Sequence, residues 1–200
     1  MAWEEESFDK KNGETIISEK EIGFIDPRVA RTGQHIISQD PAYTIKKLHD
    51  QGYQEVSLDS YHEHRIHLGV PESTLDLLPE KSIPLECNMD FLQAISWNKG
   101  CYLGQELTAR TKYQGLVRKR LLPGFLKSSG VGLESAKLLW EGKEVGILRS
   151  YTPDVALGLV RLEAVTQSQM QKIPFQVLEE GASQIGGMWI PCFPEYLKER

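Results

Sequence analysis

A change of residue pattern near Gly115 limits most strongly what this chain can fold into. Beyond it, short apolar runs at 121–122, 138–140, 145–148, 155–160 and 175–178 are separated by turns rich in Gly, Pro, Ser and Glu. Runs of this length between turn residues are typical of antiparallel strands. The second part of the chain therefore predicts a small antiparallel β-domain in the form of a barrel, because its strands are many and short.

Before this change the chain mixes strand and helix signals. Residues 22–25 and 35–37 predict two strands of a small sheet, and 41–52 and 58–68 predict two helices. Leu85, Met89, Leu92 and Ile95 recur at spacings of four, three and three, which predicts an amphipathic helix packed on that sheet. The fold class is therefore α+β.

The domain organisation follows from these patterns and from length. Two hundred residues leave room for two small domains. Residues 1–20 are polar and are predicted to be flexible, because they bury too little apolar surface to offset the entropy of ordering. The predicted organisation is a flexible segment at 1–20, a first domain at 21–118 and the β-domain at 119–200, with the transition between Gly115 and Pro123.

Composition argues against several classes of partner. The longest apolar run is far shorter than the roughly 18 residues that cross a bilayer, so no membrane insertion is expected. A net charge of -5 argues against nucleic acid as the partner. The acidic start of the chain resembles neither a signal peptide nor a mitochondrial presequence.

The three cysteines are Cys87, Cys101 and Cys192, an odd number that favours free thiols in a reducing compartment. Cys101 lies between two glycines at or near a predicted helix N-terminus, where the helix dipole and Lys99 favour a thiolate, the form that binds iron. The alternative is that Cys101 is a small buried apolar residue, as free cysteines commonly are. Cys87 and Cys192 are interpreted as structural.

Two further patterns suggest binding. Residues 99–120 hold six basic residues against Glu106 alone, which suits a carboxylate ligand or an acidic partner, although a solvated face would also explain it. His64 and His67 have the spacing of helical metal ligands, but no third ligand is evident and a solvated face explains them adequately. Because one cysteine cannot hold an iron-sulfur cluster, a cluster on Cys101 would be shared with a partner.

Residues 99–106, KGCYLGQE, followed by TART at 108–111, resemble the signature of the YgfZ-type folate-binding family, which is related to the glycine-cleavage (GcvT) aminomethyltransferase. Similar matches occur at 24–28 before Gly33, at 61–72 with Arg65, and at 84–86 with Asn88. They fit the mitochondrial branch of the family. The resemblance spans most of 21–121 and implies a partial GcvT-like folate-binding domain before the barrel, with the chain corresponding to a C-terminal portion of the family fold.

The resemblance implies an accessory factor of the mitochondrial matrix that matures 4Fe-4S proteins, such as aconitase and lipoate synthase, together with A-type scaffold proteins. Such a factor transfers no chemical group by itself. Cys101 matches the signature cysteine and would be a shared ligand of a 2Fe-2S cluster. The residues assigned to cluster or partner binding with it are Lys99, Gly100, Tyr102, Gly104, Gln105, Glu106 and Arg110.

Two alternatives stay open at this point. One is a folate-dependent enzyme like the aminomethyltransferases, which would bind tetrahydrofolate through Glu86 and a basic set of Arg118, Lys119 and Arg120. The other is a purely structural interaction module, for which Cys101 would be dispensable.

Overall fold

A computed structural model describes residues 13–115, 117–128, 132–133, 135–179, 181 and 184–198. The chain divides into two compact units between His64 and Arg65. Within the described residues, no helix is both long and apolar enough to cross a membrane. The domain limits predicted at residues 20 and 118 stay predictions.

The first unit contains an antiparallel sheet of three strands in the order β1-β2-β3, namely β1 (Thr15–Ile17), β2 (Glu21–Ile25) and β3 (Gln34–Ser38). Helix α1 (Pro41–Asp50) follows, and α2 (Leu58–His67) reaches the division between the units. The Asp40 side chain accepts a hydrogen bond from the Tyr43 amide, and Pro41 occupies the first turn, so α1 has the capping that its sequence favours. These two helices and the strands β2 and β3 confirm the predictions.

Strand β1 differs from the prediction, because it lies inside the segment expected to be flexible. All three of its side chains are exposed, so it is held by backbone hydrogen bonding to β2 rather than by burial. Composition could not reveal it for that reason. The rest of the predicted flexible segment, residues 1–12, lies outside the described residues.

Asp26, directly after β2, is a buried charged residue of the first unit. Its carboxylate accepts hydrogen bonds from the Arg28 amide at 2.9 Å and the Arg28 Nη2 at 2.7 Å, and lies 3.1 Å from His35 Nε2. Burial alone would raise the pKa of Asp26, but the hydrogen bonds from Arg28 and His35 outweigh it and lower the pKa below its ordinary value. The ionised carboxylate therefore joins the two ends of the connection between β2 and β3.

We expect the folding stability of the Asp26→Asn variant to fall less steeply with decreasing pH than that of the wild type. A lowered pKa in the folded state contributes stability that is complete above the unfolded value of about 3.9 and is lost as pH falls through the folded pKa. Thermal unfolding followed by circular dichroism from about pH 5 to pH 2 should therefore show a steeper decline for the wild type than for the variant. Equal slopes would contradict this role of Asp26.

The second unit contains a closed antiparallel barrel, which confirms the predicted β-domain. Its strands follow the order β4-β7-β6-β5-β8-β9. They are β4 (Lys119–Ser128), β5 (Lys137–Trp140), β6 (Lys143–Tyr151), β7 (Val155–Arg161), β8 (Phe175–Leu178) and β9 (Ile185–Pro191). Three helices accompany them, namely α3 (Gln105–Tyr113), α4 (Leu162–Gln171) and α5 (Glu195–Lys198).

Trp189 is the largest fully buried side chain of the barrel core. Its indole Nε1 donates to the Ala156 carbonyl oxygen at 3.3 Å. Gly124 and Gly158 make room for the ring, because a Cβ atom would lie 2.5 Å from it at Gly124 and 2.9 Å from it at Gly158. The two glycines are therefore required by the close approach of strand backbone and indole.

The amphipathic helix predicted around residues 85–95 is wrong. Residues 84–93 form consecutive turns, because Asn88 and Gln93 have φ angles of 62° and 58°, which a right-handed helix does not allow. The segment packs on the barrel: the Leu121 amide donates to the Glu86 carbonyl oxygen at 2.8 Å, and Asn88 Nδ2 donates to the Leu121 carbonyl oxygen at 2.6 Å. Leu85 and Leu92 are therefore buried by consecutive turns on the barrel and not by a helix.

A buried ion pair also ties the start of the second unit to the barrel. Arg65 Nη1 lies 2.8 Å from Asp76 Oδ2, and both side chains are almost wholly inaccessible to solvent. Asp76 Oδ2 also accepts from the Glu72 amide at 2.8 Å, while Asp76 Oδ1 accepts from the Ser150 amide at 2.9 Å and from its hydroxyl at 2.6 Å. Residues 65–76 are thereby bonded to strand β6.

Candidate functional site around Cys101

Cys101 is exposed, so the alternative of a buried thiol is wrong. It lies four residues before Gln105, the first residue of α3, close to the helix N-terminus as predicted. The connection is a turn in which the Gln105 amide donates to the Tyr102 carbonyl oxygen at 3.2 Å. Gly104 caps the helix with a φ of 86°, a left-handed conformation that favours glycine. Sequence and turn geometry together therefore present the thiol on a loop directly ahead of α3.

Two lysine side chains of this segment contact aromatic rings. The Lys99 ammonium group lies 4.7 Å from the centre of the Tyr102 ring, so these two side chains flank Cys101. The Lys112 ammonium group lies 3.6 Å from the Trp97 ring, which also meets the Tyr113 ring edge-on at 6.3 Å. Cation-π contacts of this kind are attractive even at exposed positions. They close the segment from Trp97 to Tyr113 into one local structure with Cys101 in its loop.

Helix α3 buries none of its residues. Leu103 is fully exposed, and Leu107 and Tyr113 are 70% and 74% exposed. Leu103 and Leu107 stand four positions apart in the sequence, and both meet solvent. Apolar side chains grouped on a surface are characteristic of sites that bind another molecule.

The remaining residues assigned to cluster or partner binding lie along the same segment. Lys99, Gly100, Gly104, Glu106 and Arg110 are exposed, and Tyr102 and Gln105 are partly buried. Trp97 was missed by the sequence analysis. Its contact partners are fifteen and sixteen residues away, and no periodic pattern signals such a separation.

The set predicted to bind folate or another anion does not fit that role as a whole. Arg120 is bound to Asp90, with Nη1 to Oδ1 at 2.8 Å and Nη2 to Oδ2 at 3.2 Å, and its guanidinium lies 4.9 Å from the Phe91 ring. Glu86 and Lys119 are half-buried, and Arg118 is exposed. Arg120 therefore serves to attach the turns at 84–93 to the barrel, and its charge is already neutralised.

The other predicted candidates have structural surroundings. Burial raises the pKa of the Cys87 and Cys192 thiols, in line with their interpretation as structural residues. His64 Nε2 lies 2.8 Å from the Arg31 carbonyl oxygen, and the His67 ring packs edge-on against Phe125. Over the part of the chain that the structure describes, no three His, Cys, Asp or Glu side chains are grouped so that they could hold a metal ion.

Comparison with known proteins gives consistent results for both parts of the chain. The family model of the CAF17 C-terminal beta-barrel domain matches residues 118–183. The mitochondrial iron-sulfur cluster assembly factor IBA57 of Homo sapiens is 40% identical over 144 residues, which cover 70% of this chain and 39% of the human protein. The Mus musculus protein of the same name is 39% identical over 145 residues, with the same shares covered. The chain thus spans well under half the length of these relatives.

A solved structure shows the same fold. Glycine cleavage system aminomethyltransferase T from Bartonella henselae matches with a TM-score of 0.58 at 15% identity, over 92% of this chain and 51% of that chain. Fold and barrel together define a protein with an aminomethyltransferase-like fold. Within that class, the identity with the human and mouse proteins shows that the chain belongs to the GcvT-like IBA57 family.

Proposed function

We propose that this protein is an accessory factor in mitochondrial iron-sulfur cluster assembly, acting in the matrix with an A-type scaffold protein to mature 4Fe-4S proteins. The observation that carries the proposal is the exposed thiol of Cys101, presented on a loop that two cation-π contacts hold in place. The names of the human and mouse relatives support the process and the compartment. They favour an assembly factor over a one-carbon enzyme.

The chemistry that we propose for Cys101 is ligation of iron in a 2Fe-2S cluster, which is the substrate of assembly. Iron binds the thiolate, so ligation releases the thiol proton. A cluster of this type usually needs four protein ligands, and the partner would supply those beyond Cys101. Lys99 and Tyr102 flank the thiol and would restrict the loop before the partner arrives, which lowers the entropy lost on binding.

The test is a visible absorption spectrum of the protein mixed anaerobically with an A-type scaffold protein, iron and sulfide. We expect a cluster spectrum on the complex with wild type and loss of at least about 90% of it with Cys101→Ala, because removing one of four ligands opens the cluster. Cys192→Ala is the matched control and should keep the spectrum. The Cys192 thiol is half-buried, and we propose no ligand role for it.

Two results would count against this proposal. If wild type and Cys101→Ala gave the same spectrum on the same complex, Cys101 would not be a ligand. If wild type formed no complex and no cluster with the scaffold protein, the assembly role with this class of partner would fail. Far-ultraviolet circular dichroism of each variant separates these results from misfolding.

Tetrahydrofolate stays a prediction that rests on the family resemblance. Because Arg120 is already paired with Asp90, only Arg118 and Lys119 of the predicted basic set remain for the ligand, and we derive no step through it. Fluorescence titration of the protein with tetrahydrofolate under reducing conditions would measure whether it binds.

A further inference from the structure

We infer that Leu103, Leu107 and Arg110, here named the α3 surface, form beside Cys101 the docking site for a partner surface that is apolar at its centre and acidic at its rim. The inference rests on the proposed function, because the partner is taken to be the protein that shares the cluster. It adds which residues hold that partner and what chemistry they require of it.

The apolar part of the argument concerns the two leucines. Leu103 is fully exposed and Leu107 is 70% exposed, although they stand only four positions apart beside the exposed thiol. Helix α3 has nine residues, of which five are half-buried and four are exposed, and Leu107 and Arg110 belong to the exposed face. Removal of leucine side chains from water is favourable in proportion to the apolar area that is buried, so a partner that covers both residues gains affinity.

The charge part of the argument concerns the basic residues of the same segment. Residues 97–115 contain Lys99, Arg110 and Lys112 against Glu106 alone, whereas the whole chain has a net charge of -5. Lys99 and Lys112 are held over aromatic rings, and such contacts leave the positive charge in place. Complementary charge steers association and selects the partner, so this local excess of positive charge fits an acidic rim.

The structure also separates docking from ligation. Leu107 and Arg110 lie one helical turn apart within α3, while Cys101 lies in the loop before it. A substitution on the helix leaves the thiol unchanged, and a substitution of the thiol leaves the helix unchanged. The two roles therefore have different signatures in one assay.

The experiment measures the affinity of the metal-free protein for a metal-free A-type scaffold protein by isothermal titration calorimetry. We expect Leu107→Ser to weaken binding by about tenfold or more, as loss of a central apolar residue does. Arg110→Glu should weaken it about tenfold at low salt and less at high salt, because a rim charge acts through screened electrostatics. Cys101→Ala should bind within about threefold of wild type while losing the cluster spectrum.

The matched controls are Leu58→Ser and Lys143→Glu. Leu58 is 67% exposed, close to the exposure of Leu107, and Lys143 is an exposed cation of the barrel. Both variants should bind like wild type. At a saturating concentration of scaffold protein, Leu107→Ser should regain the cluster spectrum, since it keeps the Cys101 thiol.

The outcomes distinguish the two proposals. If wild type binds and forms the cluster but Leu107→Ser and Arg110→Glu bind equally well, the α3 surface is overturned and the proposed function stands. If wild type neither binds nor forms a cluster, both are overturned for this class of partner. If Leu107→Ser instead converts a dimer of this protein into monomers in analytical ultracentrifugation, a second copy is the occupant and the docking inference is wrong.

Discussion

Replacing Asp76 with alanine is expected to lower the free energy of unfolding by about 3–5 kcal/mol, because it leaves a buried guanidinium group without its main partner. Arg65 and Asp76 are 1% and 0% exposed, and Asp76 also accepts hydrogen bonds from Glu72 and Ser150. Removing the carboxylate therefore takes away a buried partner of Arg65, which keeps Glu72 Oε2 at 3.3 Å and the Val70 carbonyl oxygen at 3.2 Å, and it breaks the bonds that join residues 65–76 to strand β6.

Urea denaturation followed by tryptophan fluorescence checks this prediction. Glu144→Ala is the control, because Glu144 pairs with Lys137 at the surface and exposed pairs contribute about 1 kcal/mol or less. The double variant Arg65→Met with Asp76→Leu should recover much of the loss, since a buried ion pair replaced as a whole by apolar residues is often tolerated. An effect of Asp76→Ala no larger than that of Glu144→Ala would show that the buried pair is not a main source of stability.

Replacing Trp189 with alanine is expected to cost a further large amount, about 3–5 kcal/mol, because it opens a cavity in the barrel. Gly124 and Gly158 line the space that the indole fills and have no side chains. They therefore cannot fill the cavity that the substitution leaves. The variant also leaves the Ala156 carbonyl oxygen without the indole donor. Loss of cooperative unfolding, seen in the denaturant slope, should accompany it.

Met188→Ala is the matched control, because Met188 precedes Trp189 on β9 and is 46% exposed. Neighbouring residues of a strand point to opposite faces of the sheet, so this substitution leaves the core intact. We expect it to cost less than about 1 kcal/mol. Similar losses for Met188→Ala and Trp189→Ala, measured by urea denaturation, would contradict the central role given to the indole.

The residues that carry the family resemblance divide into two groups in the structure. Asp26, Arg65 and Asn88 are buried and bind backbone or charged groups, so they support the fold. The signature around Cys101 is mostly exposed and helix α3 buries nothing. The first group therefore supports the fold, and the exposure of the second agrees with the binding role that we propose for it.

The sequence by itself determined the elements whose signals are local. Asp40 and Pro41 define the start of α1, because a helix cap depends on neighbouring residues. The alternation of short apolar runs with turns defines the barrel strands, because this pattern is also local. The position of Cys101 just before a helix was also predicted from the sequence. A tight turn at a helix start favours glycine, and Gly104 occupies that position.

Only the tertiary structure decided what is buried. The spacing of Leu85 and Leu92 suits a helix, but bonds from Leu121 and Asn88 hold these residues in turns on the barrel. The charge of Arg120 suits an anion site in the sequence, but in the structure Asp90 neutralises this charge. In both cases the deciding partner is distant along the chain, and periodicity reports only on near neighbours.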